Sequence, residues 1–121
     1  MSVRFAKPYQ IVDDPYWTAV KYPDGRSECY RMVPVENLQT NMVANGGIHY
    51  GVLASYEFPN GLFIDTPVLE ATFLSDNSGY LAFIFGVTGT TATKPGSITV
   101  GRGDNATLNG NVAVRAIGRW K

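Results

Sequence analysis

Trp17-Thr18-Ala19-Val20-Lys21-Tyr22-Pro23-Asp24-Gly25-Arg26-Ser27-Glu28-Cys29-Tyr30 is the stretch on which the fold reading turns. Two short apolar-patterned segments flank Pro23-Asp24-Gly25, and each turn residue has a mechanical reason to be there. Pro23 presets φ for the first turn position, Asp24 can bond its own backbone, and Gly25 accepts a positive φ. The stretch therefore reads as a β-hairpin. At the far end, Gly110-Asn111-Val112-Ala113-Val114-Arg115-Ala116-Ile117-Gly118-Arg119-Trp120-Lys121 reads as a second, half-alternating strand.

Working outward from these two pieces, short β-rich runs alternate with Gly, Asn and Pro punctuation at the spacing of an all-β domain. Strands are expected at about 17–22, 26–34, 48–57, 63–74, 80–87, 97–101 and 111–119. Between them lie Asn45-Gly46-Gly47, Pro59-Asn60-Gly61, Asp76-Asn77-Ser78-Gly79, and the segments 89–96 and 101–110. Asp65-Thr66-Pro67 interrupts the fourth run, and because Pro67 has no N–H that point is an edge or a bulge. Helical periodicity is nearly absent; Val35 to Met42 reads as a connection holding at most one helical turn. The expected fold is an antiparallel β-sandwich, jelly-roll-like, of about seven strands. Residues 1–16 read as a leader or linker and 17–121 as the β-sandwich head domain.

Composition narrows the possibilities. At 121 residues the chain suits one domain with one core. Ten basic and ten acidic residues leave a formal net charge of zero, without the basic stripe that nucleic-acid binding needs. No apolar run approaches the ~20 residues of a helical membrane span, and Met1 to Pro8 lacks the apolar core of a secretion signal. A single cysteine, Cys29, excludes an internal disulfide and a multi-cysteine metal site.

Two runs are apolar on both faces: Tyr80-Leu81-Ala82-Phe83-Ile84-Phe85-Gly86-Val87, and Val112 to Ile117 nearly so. An antiparallel sandwich normally turns one strand face to water. Two-sided apolarity in so small a domain implies a covered outer face, and an identical neighbour is the simplest cover. The competing reading is a pair of central strands with stray surface aromatics.

Residues able to carry chemistry are sparse. His49 is the only histidine and has no companion to form a zinc site. Cys29 lies within an apolar-flanked strand and reads as an inert core thiol. Glu57, Asp65 and Glu70 are able to meet across strands, but nothing marks a catalytic pair. Gly101-Arg102-Gly103-Asp104 resembles a phosphate loop only superficially, since no helix follows, and reads as a hairpin loop. Asn105-Ala106-Thr107 fits a glycosylation acceptor that matters only in a eukaryotic secretory route. Thr88 to Pro95 is a hydroxyl-rich loop whose threonines are suited to bonding sugar hydroxyls. No catalytic residue, metal ligand or cofactor is expected.

The opening Trp17-x3-Lys21-x-x-Asp24-Gly25-x2-Glu28-Cys29 and the closing Gly118-Arg119-Trp120-Lys121 together resemble the C-terminal domains of bacteriophage tail-fibre and minor structural proteins. Tyr30 stands where that family often has Trp, and the first 16 residues match nothing in it. The resemblance implies a virion structural protein, made in the bacterial cytoplasm. It would form the terminal knob of a tail fibre or baseplate appendage, assembled as a homotrimer with other virion tail components. Contact with a host cell-surface glycan is the associated expectation, without nucleic acid or membrane insertion. Successive loops of an antiparallel domain alternate between its two ends. If the leader is proximal, the free end is built from Asp24, Asn60, Thr90, Thr91 and Lys94, the expected ligand-binding residues. The alternative is a carbohydrate-binding module of a cell-wall enzyme, though Trp17 and Trp120 sit at strand ends rather than on a platform. A small hydrolase is a third reading, disfavoured by the missing constellation.

Overall fold

Alternation of buried and exposed side chains builds the strands. In the computed structural model, which describes residues 9–44, 46–53, 56–76 and 82–121, these form nine strands and no helix. In chain order they are β1 (Gln10–Val12), β2 (Thr18–Lys21), β3 (Arg26–Gln39), β4 (Met42–Val43), β5 (His49–Leu53), β6 (Val68–Ser75), β7 (Phe83–Thr88), β8 (Ser97–Arg102) and β9 (Thr107–Arg119). Every pairing is antiparallel. One sheet has five strands in the order β1-β2-β3-β9-β6, and the other has four in the order β4-β5-β8-β7. The chain is thus all-β, with two antiparallel sheets in a sandwich-like arrangement.

The hairpin forms as its turn residues dictate. The Gly25 N–H donates to the Tyr22 carbonyl (3.1 Å) and the Tyr22 N–H to the Arg26 carbonyl (2.8 Å), with Gly25 at φ +99°. This is a three-residue hairpin loop closed by a left-handed glycine. The core lies between the sheets. Val33, Val35, Leu108, Val112, Val114 and Ala116 come from one side and Ile98 and Val100 from the other, with Trp17, Phe58, Leu62 and Phe63 closing one end. Fully burying each of the larger side chains contributes about 1.5–3 kcal/mol.

Several expectations need correction. Val35 to Gln39 is not a helical connection. β3 runs on through it, and a register shift between Val35 and Leu38 carries the strand past β9. Asn37, at φ +53°, supplies the left-handed residue of that irregularity. Long-range pairing with β9, Leu38 opposite Leu108, outweighs the weak local preference of this segment. Nine strands rather than about seven result, because Gln10–Val12 pairs with β2 and Met42–Val43 with β5. The Gly101–Asp104 segment is not a hairpin loop, since β8 and β9 belong to different sheets and the connection crosses between them. It is pinned by the buried Thr40, whose hydroxyl donates to the Asp104 carbonyl (3.0 Å) and accepts from the Ala106 N–H (2.8 Å). The fourth run starts only after its proline, at Val68, and β6 stands at the edge of its sheet. Tyr80 and Leu81, where the next strand was expected to begin, lie outside the described residues, as do Asn45 and the loop positions 77–79.

Registers and loop bonds fix which loops share an end. Arg26 stands opposite Arg119, and the Trp120 N–H donates to the Gly25 carbonyl (2.9 Å). The Ile64 N–H donates to the Arg119 carbonyl (3.0 Å) and the Phe58 N–H to the Thr93 carbonyl (2.8 Å). Loops 22–25, 56–67 and 88–96 therefore gather at the end where Lys121 lies. At the opposite end, the Thr40 N–H reaches the Ala106 carbonyl (2.9 Å) and the Asp76 N–H the Asn109 carbonyl (3.0 Å).

Candidate functional site

The inward row of β3 reads Ser27, Cys29, Arg31, Val33, Val35, and four of these five are buried while Arg31 is half-buried. A charged side chain in a core-facing row needs compensation. Here aromatic rings provide it. The Arg31 guanidinium lies 4.3 Å from the Tyr56 ring centroid, 5.4 Å from Tyr16 and 5.6 Å from Trp17. Each such contact contributes roughly 0.5–2 kcal/mol, more as it is desolvated. Its Nε is buried and meets no hydrogen-bond acceptor. Arg31 also makes no ion pair among the described residues.

The rings are held by their own backbone. The Asp14 carboxylate accepts from the Tyr16 N–H (2.9 Å) and the Trp17 N–H (3.0 Å), fixing the approach to β2. Trp17 then enters the core, its indole N–H donating to the Glu57 carbonyl (2.8 Å) and its ring packing on Phe58 at 5.3 Å. That bond ties the segment before β2 to the segment after β5. Between them opens a cleft of about 500 Å³ lined by Asp14, Tyr16, Arg31, Tyr56, Glu57 and Asn60, among others. Tyr16 is 71% exposed at its rim. A neighbouring hollow of about 280 Å³ shares Glu57, Phe58 and Asn60 and reaches Thr93 of the 88–96 loop.

Of the residues expected to bind ligand, Asn60 lines both hollows. The threonines of the 88–96 loop are engaged in its own turn. The Thr90 hydroxyl donates to the Pro95 carbonyl (2.7 Å), and the Thr91 hydroxyl accepts from the Thr93 and Lys94 N–H groups (both 3.3 Å). Lys94 is exposed on that turn. Asp24 belongs to the hairpin beside the C-terminus and pairs with Arg26 at 2.7 Å. The Arg26 backbone N–H and then its guanidinium hold the Asp24 carboxyl below its ordinary range. All five thus share one end of the molecule, but only Asn60 stands in the cleft. Asp14, Tyr16, Arg31 and Tyr56 were missed, and Glu57 was weighed only as one of the scattered carboxylates. The available signal was Arg31 itself, an arginine on the inward phase of an alternating strand.

The residues weighed for chemistry are dispersed. Cys29 is buried, and burial followed by the nearby Asp14 charge pushes its thiol up to about 12, which removes it as a nucleophile at neutral pH. His49 pairs across strands with Arg102 in the four-stranded sheet. Asp65 forms an ion pair with Arg119 at 2.9 Å, and Glu70 stands opposite Arg115 on the outer face of the five-stranded sheet. Among the described residues no cluster of three or more His, Cys, Asp or Glu is arranged to hold a metal ion. No family model, curated protein or solved structure matches the chain.

Proposed function

We propose that the chain is an assembling structural domain of a bacteriophage virion, the jelly-roll-like terminal knob of a tail fibre or baseplate appendage, working as a homotrimer. The observation that carries this reading is that both outer sheet faces present large apolar side chains. On the four-stranded sheet the irregularity at Phe85 turns Ile84 and Val87 inward and leaves Phe83 and Phe85 47% and 44% exposed, with Tyr50 stacked on Phe85 at 6.2 Å. On the five-stranded sheet Ile11, Tyr30, Met32, Val68 and Leu74 all face solvent. The opening and closing motifs that resemble phage tail proteins support the same reading. A sandwich with two sticky faces suits a domain that is covered by copies of itself and by neighbouring tail components.

The test is the particle. Mass spectrometry and antibody labelling of gradient-purified phage encoded alongside this gene should find the chain, with label at the tail. Finding it only in the soluble fraction of the lysate would remove the virion assignment. A carbohydrate-binding module of a cell-wall enzyme is the second reading, favoured by the exposed Tyr16 beside Arg31. It expects the chain joined to a catalytic domain rather than to a particle.

A further inference from the structure

We infer that the Arg31 cleft is a binding site for uncharged carbohydrate, with Tyr16 as its stacking platform. This does not rest on the oligomeric state proposed above, and it holds for either of the two readings given there. Tyr16 is a large ring left exposed yet anchored: Asp14 fixes its backbone, and Arg31 lies against the ring. Such a ring offers apolar area at little loss of conformational freedom, which suits the C–H face of a pyranose. Arg31 brings a planar guanidinium whose buried Nε meets no acceptor among the described residues, and the group offers a fixed fork for a pair of neighbouring hydroxyl or ring oxygens. Glu57 and Asn60 on the opposite wall supply acceptors and an amide for further hydroxyls. An apolar platform ringed by a few convergent polar groups is the general form of a small-ligand site.

Charge decides between neutral and acidic sugars. One guanidinium shares the cleft with two carboxylates, Asp14 and Glu57. A uronate or phosphate entering it would meet a net negative wall, whereas hydroxyls can accept from the one and donate to the others. The hydroxyls of Thr90 and Thr91 are already engaged within their own loop, which places recognition at the cleft rather than at that turn.

The full chain should be titrated against immobilised neutral oligosaccharides of glucose, galactose, rhamnose and N-acetylhexosamine, and against polygalacturonate as the acidic probe. At least one neutral probe should bind. Tyr16→Ala should weaken it about tenfold or more, while the fold loses no more than the ring's contact with Arg31. Lys94→Ala should leave binding unchanged. Binding of polygalacturonate alone, binding of no probe, undiminished binding by Tyr16→Ala, or loss only in Lys94→Ala would each overturn the assignment. Light scattering on the same samples keeps the two proposals apart: a trimer that binds no probe sinks only this one, and a monomer that binds sinks only the trimer.

Discussion

Gly25 shows how a single residue joins the two ends of the sequence. Its φ of +99° is the conformation that Pro23-Asp24-Gly25 announces, and a Cβ built there would stand 2.9 Å from the Lys121 carbonyl oxygen. Gly25→Ala should therefore destabilise by about 1–2 kcal/mol from the left-handed backbone alone, with the clash adding to it. The urea midpoint reads this directly. Glu28, on the same hairpin, makes stability depend on pH. The Tyr22 hydroxyl donates to its carboxylate (2.9 Å) and Arg115 approaches at 3.2 Å, and in that order they hold Glu28 below its ordinary range. A depressed carboxyl contributes stability that is present above its unfolded pKa of about 4.3 and is lost as pH falls through its lower folded value. Melting temperature against pH should show the wild type losing more than Glu28→Gln below about pH 4, with the gap between them closing. Parallel curves would remove Glu28 from the acid response. These local features were legible because turn chemistry is written in adjacent residues. The Lys121 carbonyl beside Gly25 was not, since only pairing of β3 with β9 brings it there.

Among the elements, β9 is the spine of the larger sheet, paired with β3 along one edge and β6 along the other. Its inward alternation of Val112, Val114 and Ala116 could be read from the sequence, but Thr107 to Gly110 read as loop and is strand because it pairs with the far half of β3. The extension of β3 could not be read either, because Glu36-Asn37-Leu38-Gln39 carries no strong local preference and is held by its partner. Arg31 was passed over for a related reason. Its alternation phase pointed inward, but the rings that make an inward arginine tolerable come from residues 16, 17 and 56, which no local pattern joins. The last residues of β9 and the two beyond it latch the hairpin. The Trp120 indole N–H donates to the Tyr22 carbonyl (2.8 Å) while its backbone bonds Gly25, and Lys21 lies 5.1 Å from its ring. Truncation after Gly118 should cost about 2–5 kcal/mol, from the two Trp120 hydrogen bonds and the one that the Arg119 carbonyl accepts from Ile64, at roughly 0.5–1.5 kcal/mol each, together with the uncovered apolar area. An unchanged melting temperature would show that this latch holds nothing.

At the scale of the whole molecule, the inner faces account for the fold and the outer faces for the proposal of assembly. The two-sided apolar pattern around Phe83 to Phe85 was visible in the sequence, and its outward half is now located over Gly101, where an added Cβ would lie 3.2 Å from the Phe83 ring and 3.2 Å from the Phe85 Cβ. Val68, 67% exposed, shares a cross-strand row with Ile117, Glu28, Val20 and Ile11 on the opposite side of the domain. A chain with both faces so dressed should not stay single at working concentration. Phe85→Asp, placing a charge on one of those faces without touching the core, should shift the population towards monomer while leaving the far-ultraviolet circular dichroism of the sheets unchanged. The most direct measurement is the mass of the wild-type chain in solution by size-exclusion chromatography with multi-angle light scattering at micromolar concentration. The homotrimer requires about three times 13.2 kDa, and a single well-behaved peak at 13.2 kDa would contradict it.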